Sequence, residues 1–85
     1  FVLHPAYPNP FNPITMIRFT VGTLRATSLH IFDINGRMVD TLVDGMVESG
    51  DHEIRWDAEN FSSGIYFIHL RVGDKSRSQK VIYLK

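Results

Sequence analysis

Four histidines, nine carboxylates and a single tryptophan are the residues of this 85-residue chain that could do chemistry. A metal centre would need ligands at a recognisable spacing, and none of the histidines stands in a pattern such as H-E-x-x-H. His30, His52 and His69 fall on three separate predicted strands, so surface or cross-strand histidines are expected in place of a ligand set. A pair of facing carboxylates could hydrolyse a glycoside, but a chain this short has no insertion to form the cleft. Asp33 and Asp57 are expected instead to bond backbone amides in their own loops. The chain lacks cysteine, which excludes disulfides, thiolate metal sites and cysteine nucleophiles, and leaves the compartment open. No G-x-S-x-G, phosphate-binding loop or dinucleotide fingerprint occurs. Trp56, if exposed, could stack on a sugar or anchor a partner. It shares a strand face with Ile54 among charged neighbours of the other parity, so a core position is expected. Asn60-Phe61-Ser62 matches a glycosylation sequon, a pattern short enough to arise by chance. No catalytic residue, metal ligand or cofactor site is therefore predicted.

These side chains are carried by strands. Ile17, Phe19 and Val21 alternate with Met16, Arg18 and Thr20, a period of two. Leu29, Ile31 and Asp33 form one face of the next strand, and His30, Phe32 and Ile34 the other. Asn35-Gly36 predicts a tight hairpin turn into a strand over 37–42 that ends at Val43-Asp44-Gly45. Val39, Leu42, Val43 and Met46 also fit a helical spacing, but Gly45 and the missing cap favour the strand. After a turn at Ser49-Gly50-Asp51, His52, Ile54 and Trp56 alternate with Glu53 and Arg55. A polar loop from Asp57 to Gly64 holds Phe61. Ile65–Val72 is the most hydrophobic strand, with Tyr66, Ile68 and Leu70 on one face and Ile65 and Phe67 on the other. Gly73-Asp74 turns the chain into a last strand over about 79–84. About seven short antiparallel strands with regular turn signals predict an all-β, immunoglobulin-like sandwich.

Composition narrows the function. Nine basic and nine acidic residues give zero net charge, which argues against a nucleic-acid binder and against bulk attraction to an anionic membrane. No apolar run approaches the ~18 residues of a membrane span. Phe1–Pro5 lacks the charged lead and long apolar stretch of a signal peptide, so an export signal is expected well upstream if this is a piece of a longer protein. Arg18, Arg55, Arg71, Lys75, Arg77, Lys80 and Lys85 are spread along the chain as solvated strand faces. Lys80 guards the last strand against unwanted pairing or serves recognition.

Tyr7-Pro8-Asn9-Pro10-Phe11-Asn12-Pro13 is the most distinctive stretch. Three prolines forbid helix, remove three backbone donors and push the residues before them toward extended geometry. A stiff, extended leader into the strand at Ile14 is expected, with Tyr7 and Phe11 packed on the domain behind it. Residues 1–6 are read as the end of a linker and 7–85 as the domain.

This leader, the Ile17-Arg18-Phe19 strand and the run Ile31-Phe32-Asp33-Ile34-Asn35-Gly36-Arg37-Met38-Val39 resemble the C-terminal sorting domain of the type IX (Por) secretion system. The resemblance continues in order through Thr41–Gly45, Gly50–Asp57, Ser63-Gly64-Ile65-Tyr66-Phe67 and Lys80-Val81-Ile82-Tyr83-Leu84. It implies a small immunoglobulin-like sandwich at the end of an exported protein of a Gram-negative bacterium. Such a domain is a non-catalytic signal, read by the outer-membrane translocon after transit of the periplasm. A sortase-like peptidase then removes it, here in or before Phe1–Pro5, and joins the cargo to a surface lipopolysaccharide. The family's signal residues map onto Pro8, Asn9, Pro10, Gly64, Tyr66 and Lys80. Some related modules are cell-attachment domains of secreted glycoside hydrolases, which would put an enzyme upstream. A similar sandwich with a Pro-Asn-Pro-Phe leader occurs in flagellar hook-capping proteins. The readings that compete with a sorting tag are thus a structural domain of that kind and a carbohydrate- or protein-binding module. Strand addition to an exposed edge would suit a tag, and the last strand, with Lys80 and Val81–Lys85, is expected to be that edge.

Overall fold

Residues that alternate apolar and polar can bury one side only if a second layer covers it. The computed structural model, which describes residues 1–85, satisfies this with seven strands and no helix: β1 (Val2–Leu3), β2 (Ile14–Val21), β3 (Arg25–Phe32), β4 (Met38–Val47), β5 (Gly50–Asp57), β6 (Gly64–Val72) and β7 (Lys75–Tyr83). They form a three-stranded sheet in the order β1-β2-β5 and a four-stranded sheet in the order β4-β3-β6-β7, every neighbour antiparallel. This is the all-β, immunoglobulin-like sandwich expected from the sequence. Ile17, Phe19 and Val21 of one sheet meet Leu29, Ile31, Ile68, Leu70 and Val81 of the other, all buried.

The turns form for local reasons. The Asp33 carboxylate accepts from the amides of Asn35 and Arg37, both at 2.9 Å, and Gly36 takes the positive φ of 81° that closes the hairpin. Asp57 accepts from the Glu59 amide at 2.9 Å. Both aspartates do what loop carboxylates were expected to do.

Strand ends differ from the sequence reading where polar residues are carried by a neighbour. β4 runs past Gly45 to Val47 because β3 extends back to Arg25 and supplies partners for it. β7 begins at Lys75, not near Gln79, because the Gly73-Asp74 turn sets Val72 opposite Lys75 and the ladder then continues unbroken. Residues 1–6, read above as a linker end, place β1 against β2 and Ala6 in the core.

The proline leader is not an extended spacer. It is a run of bends whose three X–Pro bonds are cis, and it crosses from one sheet to the other. Tyr7 exchanges backbone bonds with Met16 of β2, and Phe11 bonds Ile82 and Leu84 at the end of β7. Phe11 is buried as expected, whereas Tyr7 is 74% exposed. Its paired backbone, not its ring, secures that residue.

Candidate functional site

The residues singled out as signals gather around the leader and the end of β7. Asn9 joins them directly. Its Nδ2 donates to the Lys80 carbonyl at 3.1 Å, and its Oδ1 accepts from the Ile82 amide at 3.0 Å. One side chain thus mimics a paired strand residue along the outer edge of β7. Pro8 and Pro10 flank it, exposed, and the Pro8 carbonyl is fixed by the Thr15 hydroxyl at 2.8 Å. Lys80 is exposed beside them, in register with Phe67 of β6. Pro8, Asn9, Pro10 and Lys80 therefore form one continuous surface.

Gly64 and Tyr66 sit behind that surface. Gly64 has φ 153° with open space around it, so its backbone conformation, not crowding, favours glycine. It pairs with Tyr83, and Tyr66 with Val81. Tyr66 is only 6% exposed and donates its hydroxyl to the Ser62 carbonyl. Burial, then the nearby charge of Asp33 and then Tyr83, push its pKa above the usual tyrosine value. The side chain is largely covered and lines, with Asp33, Phe61 and Gly64, a 370 Å³ cleft.

The sequence reading had no signal for Gln79. Its Oε1 accepts from the Ala6 amide at 2.9 Å and its Nε2 donates to the His4 carbonyl at 2.7 Å. The segment before the leader is thereby strapped to β7. Nor was it legible that the end of β7 is already covered. The outward groups of Ile82 and Leu84 bond Asn9 and Phe11, so Val81–Lys85 is not the free edge it was expected to be.

The reactive side chains do not converge. Trp56 is 1% exposed and gives its indole N–H to Asp40 at 3.0 Å, so it offers no ring face to a sugar. His30 and His69 face each other across β3 and β6, both edge-on to Phe32. His4 and His52 lie on the other sheet and line a 360 Å³ cleft with Arg18, Asp51 and Glu53. There the Thr20 hydroxyl donates to Asp51 at 2.6 Å and contacts His4 Nε2 at 3.0 Å. The hydroxyl has a single hydrogen and gives it to the carboxylate, so His4 must donate. Thr20 is thus not activated by an imidazole base. No group of three His, Cys, Asp or Glu residues stands close enough to hold a metal ion, and no helix is long and apolar enough to cross a membrane.

The family model described as "Secretion system C-terminal sorting domain" matches residues 5–84. Among curated proteins, none matches. The solved structure of PorZ, described as an essential bacterial surface component of the type-IX secretion system of Porphyromonas gingivalis, is similar to this chain with a TM-score of 0.66 and 23% identity. The match covers 98% of this chain and 11% of PorZ. At that identity the likeness speaks for the fold.

Proposed function

This chain belongs to the family of secretion system C-terminal sorting domains, and from that premise we propose that it is the folded address label of a larger exported protein. The coarse role, a sorting signal for type IX secretion, is the family's own. The finer account is a reading. The label crosses the periplasm with its cargo, is recognised by the outer-membrane translocon and leads to attachment at the cell surface. A sortase-like peptidase then joins the cargo to a surface polysaccharide. The domain itself works without catalysis, and any enzyme lies in the cargo.

The observation that carries this reading is the family match over residues 5–84, nearly the full chain. The surface of Pro8, Asn9, Pro10 and Lys80 is the part we assign to recognition, because it is exposed and held rigid by Asn9. Gly64 and Tyr66 serve by holding the strands behind it. Residues 2–6 are paired and strapped to β7. Cleavage favours exposed, unpaired backbone, so processing is placed on the cargo side of this strap, at or before Phe1.

The test is a reporter with a signal peptide, fused to this chain and expressed in a host with a type IX system. The intact fusion should reach the surface. A fusion retained in the periplasm sinks the sorting reading. A Lys80→Ala fusion that folds yet displays normally removes Lys80 from the recognition surface and leaves the sorting role standing.

A further inference from the structure

β7 is the outer strand of its sheet, and its two halves differ. At the far half, Ile82 turns both its amide and its carbonyl outward, where Asn9 and Phe11 take them. Antiparallel pairing alternates with a period of two, so Lys80, Ser78 and Ser76 turn the same way. The Lys80 carbonyl accepts from Asn9 and the Ser76 carbonyl from Arg77 Nη1 at 2.9 Å. The amides of Ser76, Ser78 and Lys80 and the carbonyl of Ser78 have no partner in the chain. The ladder behind them has no register shift, and the stretch has no proline or glycine. It has neither a bulge nor a covering segment along this edge, so its cations alone guard it against pairing.

Charge decides what can add there. Lys75, Arg77 and Lys80 lie on β7, and no carboxylate occurs from Lys75 to Lys85. The chain's two ion pairs, Arg37–Asp33 and Arg55–Asp57, involve none of these cations; Arg77 lies over the Phe1 ring at 5.4 Å but faces no carboxylate. The β7 edge of a second copy would bring the same three positive charges against them. The β4 edge has the opposite sign, with Asp40 and Asp44 and no cation, but its ladder with β3 shifts register twice. A strand bent in that way is a poor template for straight pairing.

We propose that Ser76–Lys80 of β7 is a strand-addition site for an extended, acidic segment of another protein. The added strand bonds the three free amides and the Ser78 carbonyl; carboxylates on one of its faces meet Lys75 and Arg77, and those on the other face meet Lys80. The proposal rests on the sorting reading only for the cellular setting in which such a segment is met. Binding of a test peptide does not depend on it.

The probe is a capped synthetic peptide that repeats Glu-Glu-Thr-Thr, which puts carboxylates on both faces of an added strand, titrated into the chain while amide hydrogen exchange is followed. Exchange should slow at Ser76, Ser78 and Lys80 and stay unchanged at Ile82 and Leu84, whose amides are already bonded. Binding should weaken about tenfold from low to physiological salt. Ser78→Pro removes the central outward amide without removing a bond to β6, and should abolish protection while the melting temperature holds. If that variant unfolds, the combined Lys75→Glu, Arg77→Glu, Lys80→Glu variant decides. It should lose the acidic peptide and capture the same peptide with lysine in place of glutamate. The proposal fails if the three amides stay unprotected, or if Ser78→Pro binds as well as the parent, which would mean charge attraction without strand addition. It also fails if protection appears without peptide as protein concentration rises and is removed by Asp40→Lys with Asp44→Lys, which would make a second copy the occupant.

Discussion

At one end of the sandwich five aromatic rings close the core. Phe11 lies 5.3 Å from Tyr83 and 5.5 Å from Trp56 between centroids, Trp56 lies 5.5 Å from Tyr66, and Phe61 touches both Trp56 and Tyr66. At the other end the packing is aliphatic. Val21 and Val72 are the last buried residues of their strands, beside a 170 Å³ cleft that Phe1, Arg25 and Lys75 also line. The first end draws two of its five rings, Phe11 and Phe61, from irregular segments. The second is closed by strand ends and turns, with Phe1 as its single irregular contribution. The proline leader is therefore a structural part of the aromatic end, and the surface assigned to recognition is built on that end.

Substitutions at the two ends measure that difference. Trp56→Ala should have the largest effect, a loss of ~3–5 kcal/mol by the usual range for a buried large aromatic. That is much of the ~5–15 kcal/mol that holds a domain together. It also leaves Asp40 without the indole donor. Val21→Ala at the aliphatic end should lose about 2 kcal/mol, two methyl groups plus a small cavity. Urea midpoints of both variants give the comparison, and equal losses would mean that the large rings contribute no more to the core than the aliphatic closure.

Sequence periodicity reads the layers well and the closures poorly. The alternations in Ile14–Val21, Gly50–Asp57 and Gly64–Val72 each express a single buried face, which local pattern can show. The polar start of β7 and the end of β4 have no such face; they are strands because a neighbour pairs with them. β1 is two residues long and has too little pattern to detect. The same holds for the candidate site. Family resemblance picked out Pro8, Asn9, Pro10 and Lys80, but Asn9 and Lys80 are 71 positions apart, and only tertiary packing joins them. The Gln79 strap is equally non-local. A polar residue in a predicted strand reads as a solvated side chain until its partners are placed.

Smaller effects sharpen the contrast within the aromatic end. Gly64→Ala meets no atom within 4 Å, so its penalty comes from the positive φ alone and should be about 1–2 kcal/mol. Asn9→Ala removes two exposed hydrogen bonds to β7 and should lose about 1 kcal/mol. It should also speed hydrogen exchange at Ile82, whose amide it frees, more than at Leu84, whose amide Phe11 still holds. Unchanged exchange at Ile82 would show that the leader covers the edge without the Asn9 side chain.

The smallest predicted effect lies at the margin of the aromatic end, in the β3–β4 hairpin, where Asp33 lines the same cleft as Phe61 and Tyr66, and is read by its pH dependence. Bonding from the Arg37 amide, helped by the Asn35 amide and the Arg37 charge and opposed by some desolvation, holds the Asp33 carboxyl below its ordinary value of 3.8. A folded-state pKa below the unfolded one means that the ionised form favours the native state. The contribution is fully present above the unfolded value and is lost as pH falls through the lower, folded value. Asp33→Asn keeps an oxygen that can accept from both amides but has no charge to lose. The parent should therefore be the more stable at neutral pH, with the gap narrowing as the solution is acidified below about pH 4 and vanishing once Asp33 is protonated in both states. Because Arg37 is exposed and Asp33 only half-buried at the surface, the whole effect should be small and should shrink in high salt. Urea midpoints of parent and variant across the acid range provide the measurement. A gap that stays constant with pH would mean that the bond geometry of the loop, and not the charge of Asp33, holds the hairpin.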